Sequence, residues 1–567
     1  MIPRYIIFAA MFAVGFVLLQ NWSNFTAEKA AENRSSVQPP IVNGSDDIPT
    51  TTASGIAFDE NATQTVSAVS SENLIEVETD RLIAHIDLKG GDVVYAALKE
   101  HKSTLGSDEP FVVLENNNRR HYILQSGLIG QNGTDTKDGR PLFTSAQKKY
   151  SLSGDSLNVD LVLQQDGVNI TKRFVFTKGS YLINLDYQIN NTSATQWNAA
   201  FYGQIKRDDS VDPASETGGG GLGLQPFLGF ATQTNDKRFD KYSFKDITKK
   251  TFEHEKNASW IALIQHYFLS AWIPQKDIAY KYSMLKSGSG KFIGRTTGPV
   301  VSVAAGSTAN ISNAFYVGPK DQYQLEKIAP GLDLSVDYSF LWWVAKPLYS
   351  LLNFFATGHF KMFGIDKQLF SGFGNWGVAI ILLTILVKAL FFKLNQKAYR
   401  SMANMKRFAP KMQSIKDRYP DDRQKQSKAM MDLYKKEQIN PVGGCLPMLV
   451  QMPVFLALYW VLMESVELRH APFMLWIQDL SAKDSLFILP ILMGISMFFQ
   501  QKLNPKPADP MQAKVMGYLP IIFTFFFLFF PAGLVLYWVV NNILSISQQW
   551  YITRQIAKEN EGKAVPS

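Results

Sequence analysis

Cysteine is almost absent: there is one residue, Cys445, in 567. That excludes an intramolecular disulfide and a thiolate metal site. At the head of an apolar run, Cys445 reads as a small buried residue. Phosphate loops are missing as well. "GSGKF" (288–292) lacks the hydroxyl after Lys291 and the upstream glycine, and reads as a hairpin turn. "GGGGLGLQ" (218–225) lacks the strand–turn–helix context of a dinucleotide fingerprint and reads as a loop. The chain is therefore not expected to hydrolyse ATP, and no cofactor is expected. The first 340 residues hold one long apolar run, at the front, whereas several follow later. This asymmetry predicts a large soluble domain joined to a membrane domain.

The net charge of +8 is uneven. Residues 21–340 carry 31 basic and 36 acidic side chains, whereas 393–440 carries 13 basic and 5 acidic. A basic block suggests nucleic acid or a membrane surface. Lying between apolar runs, this one is first a topology signal.

At the front, Arg4 precedes an apolar run from Tyr5 to Leu19, flanked by Gln20, Asn21 and Trp22. It reads as an uncleaved transmembrane anchor (1–22) rather than a signal peptide. Residues 23–72, rich in Ala, Ser, Thr, Asn and Pro, read as a disordered linker. From Leu74 the pattern alternates. "LIAHIDLKGGDVVYAALK" pivots on Gly90-Gly91, several strands follow around Asp-Gly and Lys-Gly turns, and "WIALIQHYFLSAWIP" reads as another strand. Residues 73–335 are expected to form a large β-sandwich.

"FLWWVAKPLYSLLNFF" (340–355) is too short to span; a helix over 338–358 lying in the interface is expected. Five apolar segments follow, near 376–392, 445–463, 486–499, 515–530 and 534–550, with "PAG" (531–533) as the turn between the last two. With the anchor, six transmembrane helices are expected, four of them in 443–552. The positive-inside rule places the block 393–440, the 501–514 linker and both termini, including the tail 553–567, in the cytoplasm. Residues 23–337 then lie in the periplasm of a bacterial inner membrane.

With that orientation the polar residues of the spans share one leaflet. They are Thr384 and Lys388, Gln451, then Ser496, Gln500 and Gln501, and Asn541, Asn542 and Ser545. The opposite halves are apolar and aromatic, as in "FTFFFLFF" (523–530). Lys388 alone reads equally as a snorkelling side chain. The set together predicts a hydrophilic groove open to the cytoplasm. A transporter or channel would instead need paired ionisable groups near the midplane and repeated halves. A membrane-anchored carbohydrate-active protein would need convergent carboxylates or histidines in the β domain.

The basic block is itself helical. Met402, Met405, Phe408, Met412 and Ile415 recur at three- and four-residue steps, and "PDD" (420–422) caps a second helix carrying Met430, Leu433 and Tyr434. This basic helical hairpin is a solvated face, a topology signal, or a dock for the ribosome or a nascent chain.

"NPVGGCLPMLVQMPVFLALYW" (440–460) and "FPAGLVLYWVVNNILSISQQW" (530–550) closely resemble the YidC membrane-protein insertases of the YidC/Oxa/Alb superfamily, in their Gram-negative form with a large periplasmic domain. The order of segments fits that family along essentially the whole chain. The resemblance implies a periplasmic β-supersandwich similar in fold to sugar mutarotases. It implies insertion and folding of nascent membrane proteins in the lipid bilayer, alone or with the Sec translocon and its accessory subunits, without covalent chemistry. It puts Lys388 at the groove position where Gram-negative relatives usually carry arginine; the charge is kept and the bidentate fork is lost. It places Met452, Phe455, Tyr537 and Trp538 along the substrate path.

Overall fold

The computed structural model describes residues 48–52, 55–57, 71–136, 139–214, 226–362, 364–420, 422–437, 446–504 and 510–560. The expected anchor, most of the expected linker, the glycine run 218–225, Cys445 and the last residues of the tail lie outside them.

Among the described residues, strands between Leu74 and Pro319 form one nine-stranded and one ten-stranded sheet. The two share a single apolar core that includes Leu124, Leu161, Phe174, Trp260 and Trp272. The local chemistry of the turns sets the register. Asp166 and Gly167, at φ 52° and 76°, close the hairpin between Ser156–Gln165 and Val168–Thr177 with Gln165 opposite Val168. Gly90 and Gly91, at φ 80° and 64°, turn the chain between Leu82–Asp87 and Asp92–Lys102. The "GSGKF" stretch is a hairpin turn, in which Ser287 N donates to Lys291 O at 2.7 Å and Gly290 takes φ 80°.

Two expectations need correction. "WIALIQHYFLSAWIP" is two strands, Ile261–Ile264 and Phe268–Ile273, paired antiparallel. Every residue of both is buried, so no alternation marks the break. Asp212 fixes the turn by accepting from His266 N at 2.8 Å and Gln265 Nε2 at 3.2 Å. The linker is also not uniformly disordered. Thr50–Thr52 pairs with Gly55–Ala57, and Ile48 packs on Ile129, Ala200 and Tyr202.

Two short helices, α1 (Phe244–Lys249) and α2 (Gln322–Ile328), belong to the β domain. The rest of the described chain is mainly helical. α3 (Trp342–Thr357) buries Ala345, Leu348, Leu352 and Ala356 in the helical core and leaves Trp342 and Trp343 exposed. α4 (Trp376–Leu390) is capped by Asn375, whose side chain accepts from Val378 N at 3.1 Å. α5 (Phe392–Arg407), α6 (Ala409–Arg418) and α7 (Arg423–Lys436) carry the basic block. Asp422 caps α7, accepting from Lys425 N at 3.0 Å, as "PDD" foretold.

α8 (Leu446–Glu464), α9 (Ile488–Leu503), α10 (Pro510–Phe527) and α11 (Ala532–Asn560) complete the bundle. With α4 they coincide with the five expected apolar segments. The last turn lies at 528–531 rather than 531–533, because α11 already begins at Ala532. Its first N–H groups are held from outside the helix: Ala532 N donates to Ala482 O at 2.7 Å and Gly533 N to Leu480 O at 2.9 Å. Among the described residues no single helix is long and apolar enough to cross a membrane; α4 and α5 together, bent by 66°, meet that test.

Candidate functional site

The site is built on α11. Tyr537, Asn541 and Ser545 follow one another at four-residue steps and so form one stripe of the helix. Asn542 and Gln549, seven residues apart, form a second stripe beside it. Each stripe meets a different neighbour.

Toward α8, Gln451 Nε2 donates to Tyr537 OH at 3.0 Å and to Asn541 Oδ1 at 3.1 Å. Toward α4, Lys388 Nζ donates to Ser545 Oγ at 2.6 Å. Toward α9, Asn542 Nδ2 donates to Ser496 Oγ at 2.9 Å. Three helices are thus tied to α11 by side-chain hydrogen bonds. Among the described residues no carboxylate lies within ion-pair distance of Lys388. Among the described residues the Ser545 hydroxyl is thus the one hydrogen-bond partner of the Lys388 amine.

Not every expected residue joins the network. The buried Thr384 donates its hydroxyl to Ile380 O of its own helix at 2.6 Å. Gln500, half-buried, stands apart, and Gln501 donates to Met516 O on α10. Three of the four residues expected along a substrate path, Phe455, Tyr537 and Trp538, are neighbouring rings. The Phe455 ring lies 4.5 Å from Trp538, edge to face, and 6.4 Å from Tyr537, and Trp538 reaches Phe527 of α10 at 5.3 Å. Met452, half-buried, lies one residue beyond Gln451 on α8.

Sequence reasoning missed three features. Tyr537, expected along the substrate path, also belongs to the polar network through its hydroxyl. Gln548 and Gln549 prolong the polar stripes: Gln548 Nε2 donates to Phe392 O at the α4–α5 bend at 3.3 Å, and Gln549 Nε2 to Asn504 Oδ1 at 3.1 Å. Continuing the four- and seven-residue steps along α11 finds both.

The third feature is a joint between the β domain and the end of α8 with the loop that follows it. Lys320 and Glu464 form a buried ion pair at 2.6 Å, with side chains 2% and 6% exposed. Arg469 donates to Lys102 O at 2.7 Å and Ser103 O at 2.9 Å, over the rings of Phe111 and Phe268. Burial lowers His266 to about 4, with Lys320 adding to the effect, so the neutral ring donates from Nε2 to Met463 O at 2.8 Å. Burial raises Glu467 to about 7, Asp321 reinforcing it, while Tyr349 OH donates to the carboxyl at 2.7 Å. No sequence signal pairs these residues, since the partners lie as many as 367 positions apart.

Comparison with known proteins bears on this arrangement. Residues 74–351 match the family described as "YidC periplasmic domain", and residues 368–559 match "60Kd inner membrane protein". A "Membrane protein insertase YidC" of Cellvibrio japonicus is 49% identical over 568 residues, covering 98% of each chain. One of Saccharophagus degradans is 51% identical over 494 residues, covering 87% of this chain and 85% of its own. Among solved structures, an "Active YidC insertase crystal structure with the first transmembrane domain resolved" covers 85% of this chain and 93% of its own at 18% identity, with a TM-score of 0.37.

Proposed function

The chain belongs to the YidC family of membrane protein insertases, inner-membrane proteins with a periplasmic β-sandwich domain, and on that premise we propose that substrates enter the bilayer along the polar face of α11. The observation that carries this reading is the convergence of Lys388, Gln451 and Ser496 on Asn541, Asn542, Ser545 and Tyr537. A hydrophilic segment cannot enter hydrocarbon without losing water from its backbone and charges. Here it exchanges water for side-chain donors and acceptors. The acidic residues of a short exported tail displace Ser545 from Lys388 and gain a charge-assisted bond.

The apolar helix of the substrate moves along α8 and α10, past Met452, Phe455 and Trp538, into lipid. Its partitioning free energy drives the step, so no nucleotide and no covalent chemistry is required. α4, with 15 residues, covers about 22 Å against a hydrocarbon core of about 30 Å. Such short helices thin the bilayer around the groove and leave a shorter dry barrier. In this topology the anchor, α4 and α8–α11 are the six spans, α3 lies in the periplasmic interface, and the hairpin α5–α7 is cytoplasmic. The hairpin is the surface for a ribosome or nascent chain, and the Sec translocon is a further partner. The contiguous donors and acceptors of α11 favour an insertase over a transporter, which would close a site between repeated halves.

Reconstitution tests the reading. The purified chain in liposomes, without translocon, should insert a small membrane protein with an acidic exported tail. Liposomes in which a translocon-independent substrate stays outside would sink it.

A further inference from the structure

A cavity of about 350 Å³ opens between α5, the end of α9 and the far end of α11. It lies beyond the polar cluster, and its walls mix three chemistries. Met402, Leu503 and Trp550 give an apolar floor, while Lys406 and Arg554 bring two positive charges to the rim. Among the described residues neither cation has a carboxylate within ion-pair distance; Arg554 lies over the Trp550 ring, 5.4 Å from its centroid. The third element is Gln549, which is 3% exposed. Its nitrogen is taken by Asn504 Oδ1 at 3.1 Å, and its oxygen has no hydrogen-bond partner. Buried acceptors are normally satisfied, so an orphan in a cavity wall points to a missing donor.

The three needs are different: an anion for the two cations, a hydroxyl for the orphan oxygen, and hydrocarbon for the floor. An acidic phospholipid with a hydroxylated headgroup meets all of them in one molecule. Trp550 and Tyr551, 55% and 53% exposed, are the aromatic residues expected where helices meet the headgroup layer. We propose that this cavity binds a glycerophospholipid, its phosphodiester between Lys406 and Arg554 and a hydroxyl of a glycerol headgroup on Gln549. Phosphatidylglycerol is the simplest lipid of that kind. Seated there it fastens α5 to α11 at the mouth of the groove.

The test is native mass spectrometry of the full chain in detergent, titrated with phosphatidylglycerol or phosphatidylethanolamine. It needs neither a substrate nor a sided membrane, so its outcome is separate from that of the insertase reading. Phosphatidylglycerol adducts should be retained preferentially. Lys406→Ala with Arg554→Ala should weaken them about 25-fold, corresponding to ~2 kcal/mol for two basic side chains at an anionic lipid. Lys425→Ala with Lys428→Ala, on the exposed face of the hairpin, should leave them unchanged. Gln549→Leu should narrow the preference for phosphatidylglycerol over phosphatidylmethanol, which lacks the headgroup hydroxyls. Equal retention of both lipids, or adducts that survive the double alanine variant, would overturn the proposal. So would displacement by millimolar glycerol phosphate or inorganic phosphate, which would make it a site for a soluble anion. A double variant that loses only ribosome co-sedimentation and keeps its lipid would overturn it as well.

Discussion

Removing the charge of Lys388 should slow insertion of acidic tails and spare neutral ones. Lys388 Nζ holds Ser545 Oγ at 2.6 Å, and a substrate carboxylate would take the place of that hydroxyl. Two unit charges about 4 Å apart attract by ~4 kcal/mol at an effective dielectric of about 20. Desolvation of the carboxylate cancels part of this, and charge-assisted hydrogen bonds contribute roughly 1.5–3 kcal/mol net. At 1.4 kcal/mol per tenfold, Lys388→Ala should slow an acidic tail by about 10- to 100-fold. Folding should be little affected, because Ser545 Oγ still donates to Asn541 O at 2.7 Å and no buried hydroxyl is orphaned. Lys388→Arg keeps the charge and adds donors, so it should retain most of the rate. The assay is protease protection in proteoliposomes with two substrates that differ only in the acids of the exported tail. Equal loss for both tails would refute the electrostatic role, and loss for neither would leave Lys388 as a snorkelling side chain.

Asn542→Leu removes the bond to Ser496 but leaves Ser496 Oγ donating to Met493 O at 2.6 Å, so it should cost only about 1 kcal/mol in detergent unfolding. Lys320→Ala leaves Glu464 buried without its partner and should cost ~3–5 kcal/mol, whereas Lys320→Met with Glu464→Leu should recover most of it. Thermal melts and protease clipping of the β domain read both variants. Glu467 gives a pH signature of defined sign. The folded carboxyl keeps its proton to about 7 and the unfolded one releases it near 4.5, so its contribution is full below 4.5, is lost as pH rises to about 7, and is flat above. Glu467→Gln should remove that dependence from the melting curve; an unchanged profile would show that another group is responsible.

The helical half was more legible than the details of its contacts. Apolar runs gave the five bundle helices to within a few residues, because burial in lipid or in a helical core demands such runs. Depth along the apolar runs picked out Lys388, Gln451, Ser496, Asn541, Asn542 and Ser545, whose side chains are joined by hydrogen bonds. Depth alone did not show that Thr384 would bond back to Ile380, since the choice between backbone and neighbour depends on helix packing. In the β domain, Asp166-Gly167 and Gly90-Gly91 announced their turns through backbone conformation. The break at Gln265 did not announce itself, because two fully buried strands in succession look like one apolar run. The interdomain joint was invisible, because Lys320 and Glu464 become neighbours only through the tertiary fold.

The account stands most directly on where a substrate lies during insertion. Photo-crosslinking probes placed in an arrested substrate, one in its exported tail and one in its apolar helix, can be mapped by peptide mass spectrometry. The tail probe should label peptides that carry Lys388, Gln451 and Asn541–Ser545, and the helix probe those that carry Phe455 and Trp538. Tail crosslinks confined to lipid, or to the exposed side of α10 around Ile522, would contradict passage along α11.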